Sequence, residues 1–298
     1  MEDQGRPDEG HPPTTGIRCP MNDPAAYYNQ DPALEWNRLF STPYRRLEWE
    51  VMHYFLNRYL PPKGRVLDLG GGPGRYTLEL AKQGYLVTLV DLAERNIDWA
   101  RKKIQAAGLS RNVEACRVGD ARNLDEFPDA VFDAVLCMGP LYHLPKREDR
   151  LQCLRECARV LKGRAPFFAT LLPRTAYIRD TLRGGKATPL RPDDWRAMNE
   201  ILEQGTSPLA RVPAMYYGTV DEMQSELDAT GFEPLHLASA HGVAAFLDES
   251  VNQAARDAET WRNLVQLVLE TCGDPHALSA AEHLIWIGKK KSPTGENR

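Results

Sequence analysis

The chain has 298 residues, with 37 basic against 41 acidic side chains and a formal net charge of −4. This length is enough to bury a substantial core, and the 42% hydrophobic and 26% charged fractions are those of a globular protein. The charge balance argues against a dedicated nucleic-acid binder, which draws affinity from neutralising phosphates. No apolar run approaches the roughly 20 residues of a membrane helix.

Residues 1–24 are rich in proline, glycine and charge and lack an apolar h-region, so they read as a disordered tail and not as a signal peptide. The six cysteines (Cys19, Cys116, Cys137, Cys153, Cys157, Cys272) show no disulfide framework, and a reduced, cytoplasmic protein is expected. Cys153 and Cys157 stand one helical turn apart, but no other Cys or His pair is spaced to complete a tetrahedral metal site, so no metal is expected. Residues 25–62 carry dense aromatics, from Tyr27 and Tyr28 to Tyr59. Leu47, Val51, Tyr54, Phe55 and Arg58 recur at helical spacing until Pro61-Pro62 stops them. This unit reads both as a helix packed on a sheet and as a lid.

Strands and helices alternate from 63 to 172. The strands are Val66–Leu69, Leu86–Val90, Val113–Val118, Ala130–Met138 and Pro166–Leu172. The helices run from Arg75 to Gln83, Glu94 to Ala107 and Glu148 to Leu161. That rhythm predicts an α/β fold, a mostly parallel sheet with helices on both faces. It breaks at Pro173, and residues 173–218 are too long for an ordinary loop, so they read as an insertion capping the substrate side. A capping box, Thr219 to Glu222, opens a helix, followed by a strand from Phe232, an amphipathic helix from Glu249 to Glu270 and a last strand from His283 to Ile287. Residues 219–290 thus complete the core, and 291–298 are a basic tail.

The most informative stretch runs from Arg65 to Asp91: strand, glycine turn, helix, strand and terminal acid. Glycines let backbone approach a ligand, a helix start presents free N–H groups, and an acid ending the next strand accepts from both ribose hydroxyls. A dinucleotide fingerprint would place its third glycine at Arg75, and a pyrophosphate would be repelled by Asp68. The pattern present is D-x-G-x-G-x-G, from Asp68 through Gly70, Gly72 and Gly74, and its acid suits a ligand carrying an ammonium and a sulfonium.

Here the chain resembles the class I S-adenosylmethionine-dependent methyltransferases, whose first motif is similar to Val66-Leu67-Asp68-Leu69-Gly70-Gly71-Gly72-Pro73-Gly74. The resemblance is close over Pro61–Leu172 and looser over Thr219–Gly288. It implies a Rossmann-like seven-stranded sheet whose last two strands form a hairpin, one of them antiparallel. It implies S-adenosyl-L-methionine as cofactor and S-adenosyl-L-homocysteine as product. Asp91 is then the ribose acid, Leu92 packs on adenine, Asp120 and Ala121 meet the adenine edge, and Met138 meets the methionine part. Plain turn and core roles are the alternative for Leu92, Asp120 and Met138.

His143 and Tyr142, leaving strand four in Met138-Gly139-Pro140-Leu141-Tyr142-His143, are the catalytic candidates. His143 titrates near neutral pH and suits a base, while Tyr142 suits an orienting hydroxyl. A helix-capping or packing role for His143 is the plainer reading. Tyr28 is a candidate to close over the cofactor, and His241 to face the cleft. There is no nucleophile elbow, no H-E-x-x-H, no Walker loop, and no Asp/Asn-Pro-Pro-Tyr/Phe after strand four. Both lid segments are apolar and aromatic, as a largely closed organic pocket requires, so the expected acceptor is a small molecule with an oxygen or nitrogen nucleophile, carbon or sulfur being the alternatives. Two alternatives remain. One is a tRNA or other RNA methyltransferase using Arg174, Arg179, Arg183, Lys186, Arg191 and Arg196. The other is a non-catalytic cofactor-binding protein.

Overall fold

The computed structural model describes residues 23–184, 190–207 and 215–292. The tail expected at 1–24 lies outside the described residues up to residue 22, as do Cys19, Lys186 and residues 293–298. Seven strands form one sheet: β1 (Arg65–Leu69), β2 (Leu86–Asp91), β3 (Val113–Val118), β4 (Ala134–Cys137), β5 (Pro166–Leu171), β6 (Phe232–Ser239) and β7 (Leu284–Lys290). Their order is β3-β2-β1-β4-β5-β7-β6, with β7 alone antiparallel to its neighbours. The expected antiparallel strand is therefore present, one place in from the edge. Its partner β6 is joined to it through helices and not through a tight turn.

The core divides by strand alternation, since successive side chains point to opposite faces. Val66, Ala134, Leu136 and Phe168 pack against α3 (Pro43–Tyr59), α10 (Asp248–Ala254) and α11 (Ala258–Thr271). Leu67, Leu69, Val135, Cys137 and Phe167 pack against α6 (Arg147–Val160) and α9 (Val220–Ala229). Helix α4 (Arg75–Lys82) follows β1, and α5 (Glu94–Ala106) follows β2.

Four expectations shift. Residues 25–62 divide: α3 is a core helix, and only α1 (Pro24–Tyr28), α2 (Pro32–Asn37) and the 3-10 turn Arg38–Phe40 lie over the cleft. Strand four starts at Ala134 and not at Ala130, because Asp133 Oδ2 takes the Arg65 N–H at 2.8 Å in place of a ladder carbonyl. The single helix expected from Glu249 to Glu270 is two. Asp257 caps α11 by accepting from the Thr260 N–H at 2.8 Å, a better use of aspartate than a helix interior. The insertion holds α7 (Arg174–Gly184) and α8 (Pro192–Gln204), which pack on Leu172, Tyr217 and the rim of Tyr142.

One buried ion pair ties the two halves of the sheet cover together. Arg150 of α6 places Nε 2.8 Å and Nη2 2.6 Å from the carboxylate of Glu226 on α9, with the guanidinium 3.5 Å from the centre of the Tyr216 ring. Glu226→Ala, which strands a buried cation, is expected to cost about 3–5 kcal/mol in a urea unfolding titration. A loss under 1 kcal/mol would show that the pair contributes nothing.

Candidate active site

Where strand order reverses between β1 and β4, the loops after the strands part and leave a cleft, the usual ligand position in open α/β sheets. Two glycines make that geometry. Gly70 has φ +69°, and a Cβ there would stand 2.5 Å from Pro140 Cγ, so the loops after β1 and β4 touch only because no side chain intervenes. Gly74 has φ +82° and would meet the Ala100 Cβ at 2.9 Å, which sets α4 close against α5. Gly74 itself is not among the residues lining the cleft, and the contact it makes here is with α5. The cleft encloses about 340 Å³ and is lined by Asp68, Gly70, Gly72, Asp91, Leu92, Asp120, Ala121, Met138, Tyr142, His143 and Tyr28. The remaining expected site residues thus converge.

Asp91 sits at the end of β2. Its Oδ2 accepts from the Gly72 N–H at 2.8 Å, and its Oδ1 from the Ala93 N–H at 2.9 Å and the Asn96 amide at 3.2 Å. A carboxylate has about four acceptor positions, so Oδ2 keeps one for a ligand hydroxyl. Leu92 beside it is 44% exposed, as an uncovered stacking surface would be. Asp120 is gripped by the Arg122 fork, with Nη2 2.6 Å from Oδ2, and that hydrogen bonding holds its carboxyl below the usual range. Asp68 is only 1% exposed and lies beneath the glycine turn, accepting from the Thr77 hydroxyl at 2.6 Å. Burial pushes its carboxyl up to about 6, against the Thr77 hydrogen bonds.

The lid is docked by residues the sequence reading did not assign to it. Arg75 donates from Nε to the Trp36 carbonyl at 2.8 Å, and its guanidinium lies 4.0 Å from the Trp36 ring centre and 4.6 Å from that of Phe40. The side chain that excludes a dinucleotide fingerprint is therefore the dock for the lid. Arg95 holds the Asn29 carbonyl at 2.7 Å and the Gln30 carbonyl at 2.8 Å. Under the lid, the Tyr28 hydroxyl meets His143 Nε2 at 2.8 Å. Burial pushes the Tyr142 phenol upward, so it stays protonated. Arg38 pairs with Glu35 at 2.9 Å and Glu48 at 3.3 Å. Burial alone would raise Glu48, but Arg38 pulls it down to about 2.

Some sequence candidates stand elsewhere. His241 is 0% exposed, stacked on Tyr44 at 4.5 Å, and does not reach the cleft, because the turn after β6 points it into the core. Among the described residues, none of the 173–218 insertion lines the cleft; it touches the site only through Tyr142. Sequence reasoning missed Glu35, Arg38, Glu48, Arg75 and Asn96. The first two carried a signal, as lone charges in an aromatic run.

A mostly parallel sheet in this order, with a glycine turn over one acid and a second acid ending the next strand, is an open α/β arrangement whose cleft suits a nucleoside. Residues 66–164 match the methyltransferase-domain family model, so this stretch is a methyltransferase domain, and the sheet built around it has the fold of solved S-adenosylmethionine-dependent methyltransferases. It is 35% identical over 104 residues to a Bacillus subtilis (strain 168) protein with a provisional methyltransferase name, YqeM, covering 35% of this chain and 40% of that protein. It is 36% identical over 124 residues to a ubiquinone biosynthesis O-methyltransferase of Xanthomonas campestris pv. campestris, covering 42% of this chain and 49% of the relative. The matched stretch thus spans under half the length of these relatives. A solved S-adenosylmethionine-dependent methyltransferase of Methanosarcina mazei shares the fold, with a TM-score of 0.56 at 20% identity over 80% of this chain and 98% of that one.

The donor set fits the cofactor: Asp91 would take the ribose, the buried Asp68 under the turn would face its cations, and Asp120 with Leu92 would meet the adenine end. Asp91→Ala is expected to cost about 1–3 kcal/mol of S-adenosylhomocysteine affinity by calorimetry. Unchanged affinity would remove it from the ribose role. Because a cationic ligand favours the ionised form of Asp68, binding should lower its pKa and release a proton. S-adenosylmethionine affinity should therefore rise with pH from 5 to about 6 and level off above. A flat profile in wild type would show that the Asp68 charge is not felt.

Proposed function

We propose that the protein transfers the methyl group of S-adenosylmethionine to an oxygen or nitrogen nucleophile on a small molecule, leaving S-adenosylhomocysteine. The observation that carries this reading is the Tyr28–His143 hydrogen bond, 2.8 Å long, formed between the lid and the loop after β4 at the edge of the cofactor cleft. When bound, the cofactor supplies a methyl carbon already activated by its sulfonium. What the chain must add is alignment and proton removal. The Tyr28 oxygen accepts the acceptor's proton while its own passes to His143 Nε2. Tyr142, beside it, holds a protonated hydroxyl for orientation. The N-terminal helices cover the cleft with Tyr28, Trp36 and Leu39, apolar surface suited to a small organic acceptor.

A small acceptor is supported further by the charges around the insertion. Arg174 pairs with Glu222, Arg183 with Asp180 and Glu282, Arg191 with Asp194, and Arg196 with Asp193, which offsets four of the six charges of the candidate RNA patch, while Arg179 lies over the Phe246 ring and Lys186 is outside the described residues. The ubiquinone biosynthesis O-methyltransferase points the same way, as a relative named for a small-molecule pathway. The first test is a thermal-shift titration with S-adenosylmethionine, S-adenosylhomocysteine and NAD, in which ligand at about 100 times its dissociation constant adds roughly 2.7 kcal/mol. A methyl-transfer screen over phenols, amines and tRNA follows. With an acceptor in hand, His143→Gln should lower kcat by roughly 10²–10⁴-fold at little cost in cofactor affinity. An unchanged kcat would sink the relay, and labelled tRNA would overturn the small-molecule reading. Cofactor binding without turnover across the screen would favour the non-catalytic reading.

A further inference from the structure

Arg150 is buried in α6 and uses its fork in two directions. Nε and Nη2 face the Glu226 carboxylate of α9. Nη1 turns the other way and donates to the Leu144 carbonyl at 3.0 Å and the Pro145 carbonyl at 2.8 Å. Those two carbonyls belong to the residues that directly follow His143. One guanidinium, its plane fixed by a bidentate carboxylate, therefore grips the chain as it leaves the turn that carries Tyr142 and His143.

The same turn is held a second time, through Tyr216. The Tyr216 N–H donates to the Tyr142 carbonyl at 2.8 Å, and the Arg150 guanidinium covers the Tyr216 ring at 3.5 Å. The Tyr216 hydroxyl lies 3.1 Å from Glu222 on α9. Pro140–His143 is a 3-10 helix of four residues. Such a turn has poor internal hydrogen bonds, and its last carbonyls find no partner within it. Its conformation is set from outside, and Arg150 makes or backs the hydrogen bonds to the carbonyls of Tyr142, Leu144 and Pro145.

We infer that Arg150 is a positioning residue for Tyr142 and His143. It is not among the residues lining the cleft, and it acts by fixing the turn that presents both side chains there. Glu226 sets the plane of the guanidinium, and Tyr216 brings the 173–218 insertion into the same clamp. This rests on the part proposed for Tyr142 and His143 in methyl transfer. Arg147 also approaches Glu226, at 3.7 Å and with 55% of its side chain exposed, and serves as the control.

The experiment replaces the pair as a unit, Arg150→Met with Glu226→Leu, because apolar side chains in place of a buried ion pair often leave stability unchanged while removing the donors. Three readouts are taken on the full chain with S-adenosylhomocysteine bound: the urea midpoint, hydrogen exchange at the Tyr216 amide, and the nuclear Overhauser contact between the Tyr28 and His143 rings, whose centres are 5.2 Å apart. The expected result is a midpoint near that of wild type, a Tyr216 amide that has lost its protection, and a ring contact that is lost. On an acceptor found by the screen, kcat should fall roughly 10²-fold, the scale of a 1 Å misplacement, with a much smaller change in KM for S-adenosylmethionine. Arg147→Met should behave as wild type in every readout. Arg150→Lys, which keeps the cation and loses the fork, should fall between and decides the matter if the double variant does not fold. Wild-type protection of Tyr216 and a wild-type ring contact in a folded variant without the fork overturn the clamp. A lost Tyr216 hydrogen bond beside a His143→Gln enzyme of unchanged kcat upholds the clamp and overturns the relay instead, so the two failures are distinct.

Discussion

The site depends on one close approach, that of the Gly70 turn to Pro140. With 2.5 Å between the ring carbon and the place a Cβ would occupy, the loops after β1 and β4 can meet only while residue 70 has no side chain. That contact brings together the two strand ends bordering the switch point. Asp68 lies beneath the turn, Asp91 reaches it through the Gly72 N–H, and Tyr142 and His143 follow Pro140 in the next turn. Pocket, acid and candidate base are therefore one construction.

The lid is held differently, by a cation between aromatic rings and by hydrogen bonds to carbonyls. Arg75 opens the helix after the glycine turn, so the residue that docks the lid is rigidly tied to the part that meets the cofactor. The Tyr28–His143 hydrogen bond spans the same gap from the other side.

Much of this was legible in the sequence. The strand–turn–helix–strand–acid order from Arg65 to Asp91 fixed the cofactor end because backbone chemistry is local, with each glycine and acid acting within a few residues of its position. The α/β rhythm located five of the seven strands to within two residues, strand four being overdrawn at its start and the last strand stopped three residues short of its end. What the sequence hid was long-range. Arg38 meets Glu48 ten residues on and, with Glu35, faces a loop some 35 residues away, a pairing that no periodicity encodes. Asp257 ended a helix by capping the next, which hydrophobic spacing alone could not show. The 173–218 insertion had the composition of a cap, but packing on Leu172 and Tyr217 drew its described residues away from the cleft.

The place of β7 has a consequence for synthesis. It lies between β5 and β6, yet it is the last strand along the chain. Until residues 284–290 leave the ribosome, β5 is an open edge presenting Pro166-Phe167-Phe168-Ala169-Thr170-Leu171, an apolar row of unpaired backbone donors and acceptors. Such an edge is a template for pairing between chains. The nascent protein must carry its cofactor half complete but unsealed while more than a hundred further residues are made, so the interval in which it is most prone to aggregate is set by topology and not by the stability of the finished fold.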